Sequence, residues 1–208
     1  MFVGIADGAS SMYHDNVQTI ATTSTGASIT GGVTYTGDLV STTSGTSNFR
    51  AGVNAGNSIA SGGNNNVLVG DEAGTALTTG DGNVAVGFEA LATEDAHGNN
   101  TAVGYRALKD LNAGATGNNT AVGYNSGANI TTGTFNTVVG SNAGDALTEG
   151  ADNVAIGSFA LSAEDTTGRN IAIGRNTLLV ANSTSGNANN VAIGYNAGAS
   201  VTTGTENV

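Results

Sequence analysis

The chain has 208 residues with a formal charge of −11, 33 glycines, and no proline, cysteine or tryptophan. Five Lys and Arg against 16 acids leave no cationic cluster to displace counterions from phosphates, so nucleic acid and anionic lipid are poor partners. No apolar run approaches the roughly 20 residues that span a bilayer, and the glycines lack collagen's every-third-residue pattern.

Residues 1–47 open with Met1-Phe2-Val3-Gly4-Ile5, without the basic start and apolar stretch of a secretory signal. Short strand-like stretches follow at 17–20, 27–30, 33–36 and 39–41, separated by glycine. This part reads as a β-rich connecting or shaft segment, with a boundary near 45–48.

Residues 48–208 are periodic. Asparagines at 48, 66, 83, 100, 119, 136, 153, 170, 190 and 207 recur at steps of 17 to 20 residues. Each opens a short β-branched/Ala run that ends in glycine, as in Asn83-Val84-Ala85-Val86-Gly87 and Asn190-Val191-Ala192-Ile193-Gly194. A short fixed period means one small unit stacked many times. Val84 and Val86 alternate with Ala85 and so point to opposite faces of a strand. Gly87 and its equivalents mark turns with positive φ, and the Asn suits a turn because it tolerates the left-handed region. A second segment, such as 76–79 or 201–203, then leads back through a glycine-rich turn.

The expected fold is all-β: a parallel β-solenoid, or β-roll, of about 17-residue rungs, each with two short strands and two turns. A helix is excluded because no window keeps an apolar spacing of 3.6 and Gly and Thr weaken helices. So thin a coil needs further buried surface. The Ala column reads as a smooth face for packing against another copy, most simply in a homotrimer. Residues 76–100 match 146–170 at a displacement of 70, or four rungs, and the longer rungs near Ala113 and Ser183 carry loops. Because Asn207-Val208 begins a further repeat, a longer parent chain is expected.

Little chemistry emerges from the motifs. Gly80-Asp81-Gly82-Asn83-Val84-Ala85 formally matches a dinucleotide fingerprint but precedes a strand, not a helix, and no P-loop exists. The acidic pairs Asp71/Glu72, Glu94/Asp95 and Glu164/Asp165 read as solvated loops that keep the rod soluble. Glycoside hydrolysis needs two carboxylates facing one sugar, and adjacent strand residues diverge. His14 and His97 are isolated, and an exposed loop position is expected for His97. No catalytic residue, cofactor or metal is expected. Phe88, Tyr105, Tyr124 and Tyr195 share the position after the turn glycine, where aromatic faces can stack on sugar rings or pack on the next rung. Tyr105, Tyr124 and Tyr195 are the candidate glycan contacts. Asp71, Ser141, Ser158 and Arg175 interrupt the column.

The Asn-Val-Ala-Ile-Gly strings resemble the head repeats of trimeric autotransporter adhesins, which build a left-handed parallel β-roll in each of three subunits. The longer strings GNNTAVGYNSG and NNVAIGYNAG are still more similar to repeats of phage tail-fibre proteins. Tyr13-His14-Asp15 followed by residues 20–31 (IATTSTGASITG) resembles linkers in tail fibres of marine and cyanobacterial phages. The 17-residue step departs from the adhesin repeat, which is nearer 14. The resemblance implies a structural fibre of a phage virion involved in host attachment, with this region mainly a rigid trimeric spacer. Its implied partners are other virion tail proteins and a host surface glycan or protein receptor. The alternatives are the head of a trimeric adhesin on a bacterial cell surface, and a polysaccharide-degrading tailspike.

Overall fold

The computed structural model describes the backbone of residues 2–4, 10–14, 17–23 and 26–29. It describes residues 44–114, 116–163, 166–182 and 186–208 in full. Two compact units divide the chain, Met1–Leu39 and Val40–Val208.

In the first unit β1 (Phe2–Gly4), β2 (Ser10–His14), β3 (Val17–Thr23) and β4 (Gly26–Ile29) form an antiparallel meander in chain order. A bulge between Met12 and Tyr13 shifts the β2/β3 register. The expected strands at 33–36 and 39–41 lie outside the described residues.

The second unit is a parallel β-solenoid. Nine three-residue strands, β5 (Phe49–Ala51), β6 (Val67–Val69), β7 (Val84–Val86), β8 (Thr101–Val103), β9 (Thr120–Val122), β10 (Thr137–Val139), β11 (Val154–Ile156), β12 (Ile171–Ile173) and β13 (Val191–Ile193), stack in sequence order. Equivalent residues pair in register, as in Ala85 with Ala102 and Ala102 with Ala121. At about 4.8 Å per strand the ladder is roughly 38 Å long. Among the described residues no helix occurs.

Among the described residues each coil holds one strand, not two. After the turn glycine (Gly104 has φ +136°), the second and fourth residues adopt left-handed backbone, as Arg106 and Leu108 do at φ 55° and 49°. Two such residues so close together curl the chain too tightly for a second strand. Rung-to-rung hydrogen bonds still run through the curl: the Leu91 N–H donates to Ala107 O at 3.0 Å and the Gly127 N–H to Ala143 O at 2.9 Å.

The Ala column is the interior of the coil rather than a packing face. Ala85, Ala102, Ala121, Ala155 and Ala172 are fully buried, with Leu68 and Val138 taking the same place in their rungs. The flanking Val, Ile and Thr residues point outward, half-buried to exposed. Geometry sets this choice, because a 17-residue coil leaves little room on its inner side for two branched side chains per strand.

In six of the nine rungs core volume is traded between two positions, while Ala121 and Ala192 sit with Gly127 and Gly198 instead. Where the strand centre is Leu68 or Val138, the fourth residue after the turn glycine is Gly74 or Gly144. Where the centre is Ala85, Ala102, Ala155 or Ala172, that residue is the buried Leu91, Leu108, Leu161 or Leu178. These leucines hold left-handed backbone (φ 49° to 54°), a conformation that costs an L-residue roughly 1–2 kcal/mol. Filling the space beside a small Ala offsets that cost, since a buried leucine contributes about 1.5–3 kcal/mol. The first rung differs: Arg50 occupies the strand centre, and its Nη1 donates to Gly56 O at 2.7 Å and Ala55 O at 3.2 Å. A polar residue at the end of a stacked core is how terminal repeats cap themselves.

The repeat asparagines from Asn48 to Asn190 are buried and line one edge of the interior. Asn66 Oδ1 accepts the backbone N–H of Asn83 at 2.8 Å, and Asn66 Nδ2 donates to Gly80 O at 2.9 Å. The same onward link joins Asn119 to Asn136, Asn136 to Asn153, and Asn190 to Asn207. The asparagines themselves do not hold the left-handed backbone. It falls one residue earlier, at Asn65, Asn99 and Asn118.

Candidate functional site

The outer wall of the turn following each strand carries most of the distinctive surface groups. Phe88, Tyr105 and Tyr124 sit on successive rungs and form one stack, with ring centroids 5.4 Å and 5.2 Å apart and interplanar angles of 18° and 8°. In-register stacking places identical positions one strand spacing apart, so neighbouring rings meet face to face. Tyr105 therefore has a ring on each side. Tyr124 has one covered face, and its other face looks toward the rung of Ser141. Tyr195 stands apart and is 68% exposed. Of the three candidate glycan contacts, Tyr105 and Tyr124 are thus brought together and Tyr195 is not.

Arg106 extends beside this stack. Its guanidinium carbon lies 5.1 Å from the Tyr105 ring centroid, a cation–π distance, and its Nε donates to Glu89 Oε2 at 2.6 Å. The Glu89 hydrogen bond raises the Arg106 pKa above its ordinary value, with desolvation opposing it.

Next to Arg106 the surface opens into a cleft of about 170 Å³, lined by Arg106, Lys109, Asp110, Asn125, Asn129 and Asp145 around Ala128. Three rungs supply these residues. In the fifth position after the turn glycine the column reads Lys109, Ala128, Asp145, and the small middle residue makes the notch. Lys109 Nζ donates to Asp110 Oδ1 at 2.7 Å, and Asn129 Nδ2 donates to Asp145 O at 2.6 Å. Among the described residues, no donor reaches the buried acceptors Asn125 Oδ1 and Asp145 Oδ1. Burial pushes the Asp145 carboxyl above its ordinary pKa, partly offset by its backbone N–H. Reading the motifs singly missed this cleft. Aligning the rungs reveals its one sequence signal, an alanine between two charged residues in a column.

Glu94 corrects another expectation. It is fully buried rather than solvated. Its Oε1 accepts the His97 N–H at 3.1 Å and lies 2.9 Å from His97 Nδ1, while its Oε2 accepts the Ala113 N–H at 3.3 Å. Lacking a second strand, this part of the coil leaves backbone donors that the carboxylate satisfies. His97 keeps a loop position but is a partly covered member of this knot rather than isolated and exposed, and its carbonyl accepts from Asn83 Nδ2 at 3.0 Å. Ligand atoms of Glu94, Asp95 and His97 lie within 4.8 Å of one another, the spacing a cation would require. Asp71 and Glu72 serve the stack: Asp71 Oδ1 accepts the Val53 N–H at 3.0 Å, and Glu72 Oε1 accepts from Asn54 Nδ2 at 2.7 Å. Glu164 and Asp165, and likewise His14 and Asp15, have no described side chains.

The outward strand face is the remaining feature. From β6 to β13 both outward positions are Val, Ile or Thr in every strand, with no charged residue. Val67, Val122 and Ile156 are each 37% exposed and Ile193 is 66% exposed. No helix among the described residues is long and apolar enough to cross a membrane. No protein-family model, curated protein or solved structure matches the chain.

Proposed function

We propose that the chain is a structural segment of a bacteriophage tail fibre, a rigid homotrimeric spacer in an appendage used for host attachment. The observation that carries this reading is the charge-free, β-branched strip along β6–β13, on a chain whose formal charge is −11. Contiguous exposed apolar surface of this kind marks an interaction site. The strip repeats at the strand spacing, and a partner contacts every rung alike only if it shares that period. Another copy of this chain does so by construction, packed parallel around a common axis. The repeat strings and the 13–31 linker resemble those of phage tail fibres, which supports the virion reading over a bacterial surface adhesin. Glu94 is engaged by two backbone N–H groups and the His97 ring of its own chain, which supports a structural role for it over tailspike hydrolysis.

Light scattering on the purified chain tests the proposal. The expected mass is three times 20.2 kDa. The double variant Val122→Glu/Ile156→Glu, which sets repelling charges on the strip, is expected to sediment as a folded or partly unfolded monomer. A monodisperse wild-type monomer overturns the proposal.

A further inference from the structure

The cleft around Ala128 goes beyond a spacer role. We infer that it is a saccharide subsite, which takes one neutral hexose unit and uses the open face of Tyr124 as the platform for the adjoining unit. Four observations converge on this assignment. The cleft is concave and, at about 170 Å³, smaller than the usual drug-sized pocket, so it suits a single ring. Two buried acceptors, Asn125 Oδ1 and Asp145 Oδ1, have no donor among the described residues. Both residues line the cleft, and a ligand rich in hydroxyls supplies donors to their side chains once these turn toward it. The same hydroxyls accept from the N–H groups that Lys109 and Arg106 keep after binding Asp110 and Glu89, since lysine has three donors and arginine five.

The charge balance selects among ligands. Arg106 and Lys109 oppose a metal ion or an ammonium group, and Asp110 and Asp145 oppose a carboxylate or phosphate. The lining itself carries two cations and two anions, a doubly polar cleft that a polyol matches. The fourth observation is the neighbouring ring. Tyr124 is 53% exposed, one face is stacked on Tyr105, and the other looks toward Ser141 on the rung that also bears Asp145. The cleft lies on the turn wall rather than on the Val/Ile strip, so trimer packing along the strip leaves it open.

The probes are methyl α- and β-hexopyranosides of glucose, galactose and mannose, their disaccharides, and methyl glucuronide. Each is tested on the full chain by saturation-transfer NMR and by shifts of the Asn125 and Asn129 side-chain amides. A neutral hexoside is expected to bind and to move both amides. Ala128→Leu, which fills the notch, and Asp145→Ala, which removes an acceptor, are each expected to weaken it about tenfold or more. Tyr124→Ala is expected to weaken the disaccharide but not the monosaccharide. Melting curves confirm that each variant is folded; if Asp145→Ala unfolds, Ala128→Leu decides alone. Absence of binding by every neutral sugar overturns the inference, as does binding that survives Ala128→Leu or a preference for the glucuronide. Because oligomer mass is measured separately, failure here leaves the fibre proposal standing.

Discussion

Asn136 Oδ1 accepts the backbone N–H of Asn153 at 3.0 Å, so a buried side chain on one rung sets the height of the next. The same oxygen also receives Asn153 Nδ2 at 3.1 Å, and Asn136 Nδ2 donates to Gly150 O at 2.8 Å. Asn136→Ala strands a buried donor and a buried acceptor, each worth about 1–3 kcal/mol. A loss of about 2–4 kcal/mol in urea unfolding is expected, with Asn136→Asp intermediate because it keeps the acceptor. A loss below about 0.5 kcal/mol in the alanine variant shows that water replaces the link.

Gly104 and Leu68 test the shape of the coil in different ways. A Cβ on Gly104 would stand 2.2 Å from Gly123 O, on backbone at φ +136° that L-residues avoid. Gly104→Ala is expected to cost more than about 3 kcal/mol, or to prevent folding. Gly114 has nothing within 4 Å of a built Cβ and φ +66°, so Gly114→Ala is expected to cost only about 1 kcal/mol. Equal melting temperatures for the two variants contradict the close stacking of turns.

A Cβ on Gly74 would meet Leu68 Cδ2 at 2.8 Å. Gly74→Leu alone therefore overpacks its rung, at a cost of about 1–3 kcal/mol. Leu68→Ala alone opens a cavity, at about 2–5 kcal/mol. Together they recreate the Ala85/Leu91 arrangement of the next rung. The pair is expected to recover at least about 1.5 kcal/mol of the summed losses in a double-mutant cycle. Strict additivity contradicts the volume exchange.

Asp145 gives a pH dependence with a definite sign. Burial raises its folded-state pKa, so its proton favours the fold at low pH. That contribution is full below the ordinary carboxyl value and is lost as pH rises through the raised one. Asp145→Asn is expected to be more stable than the parent at pH 7, by less than about 1 kcal/mol after solvent screening, with the gap closing toward pH 3. A gap that widens on acidification reverses the assignment.

The period, the nine strand positions and the turn glycines were legible because each recurs as a fixed residue type. Alternation in Val84-Ala85-Val86 separates two faces but does not say which is inside. That depends on the width of the coil, which no single rung reveals. The missing second strand reflects left-handed backbone at Arg106 and Leu108, residue types that carry no turn signal of their own. Glu94 looked solvated because its partner Ala113 N–H comes from the following rung, 19 residues on. The cleft was hidden for the same reason, since its lining comes from three rungs.

The asparagine ladder also has a mechanical consequence. Its links all run from one coil to the next, so tension along the stack passes through every coil in series. Resistance along the stack is then set by the weakest step rather than by the sum.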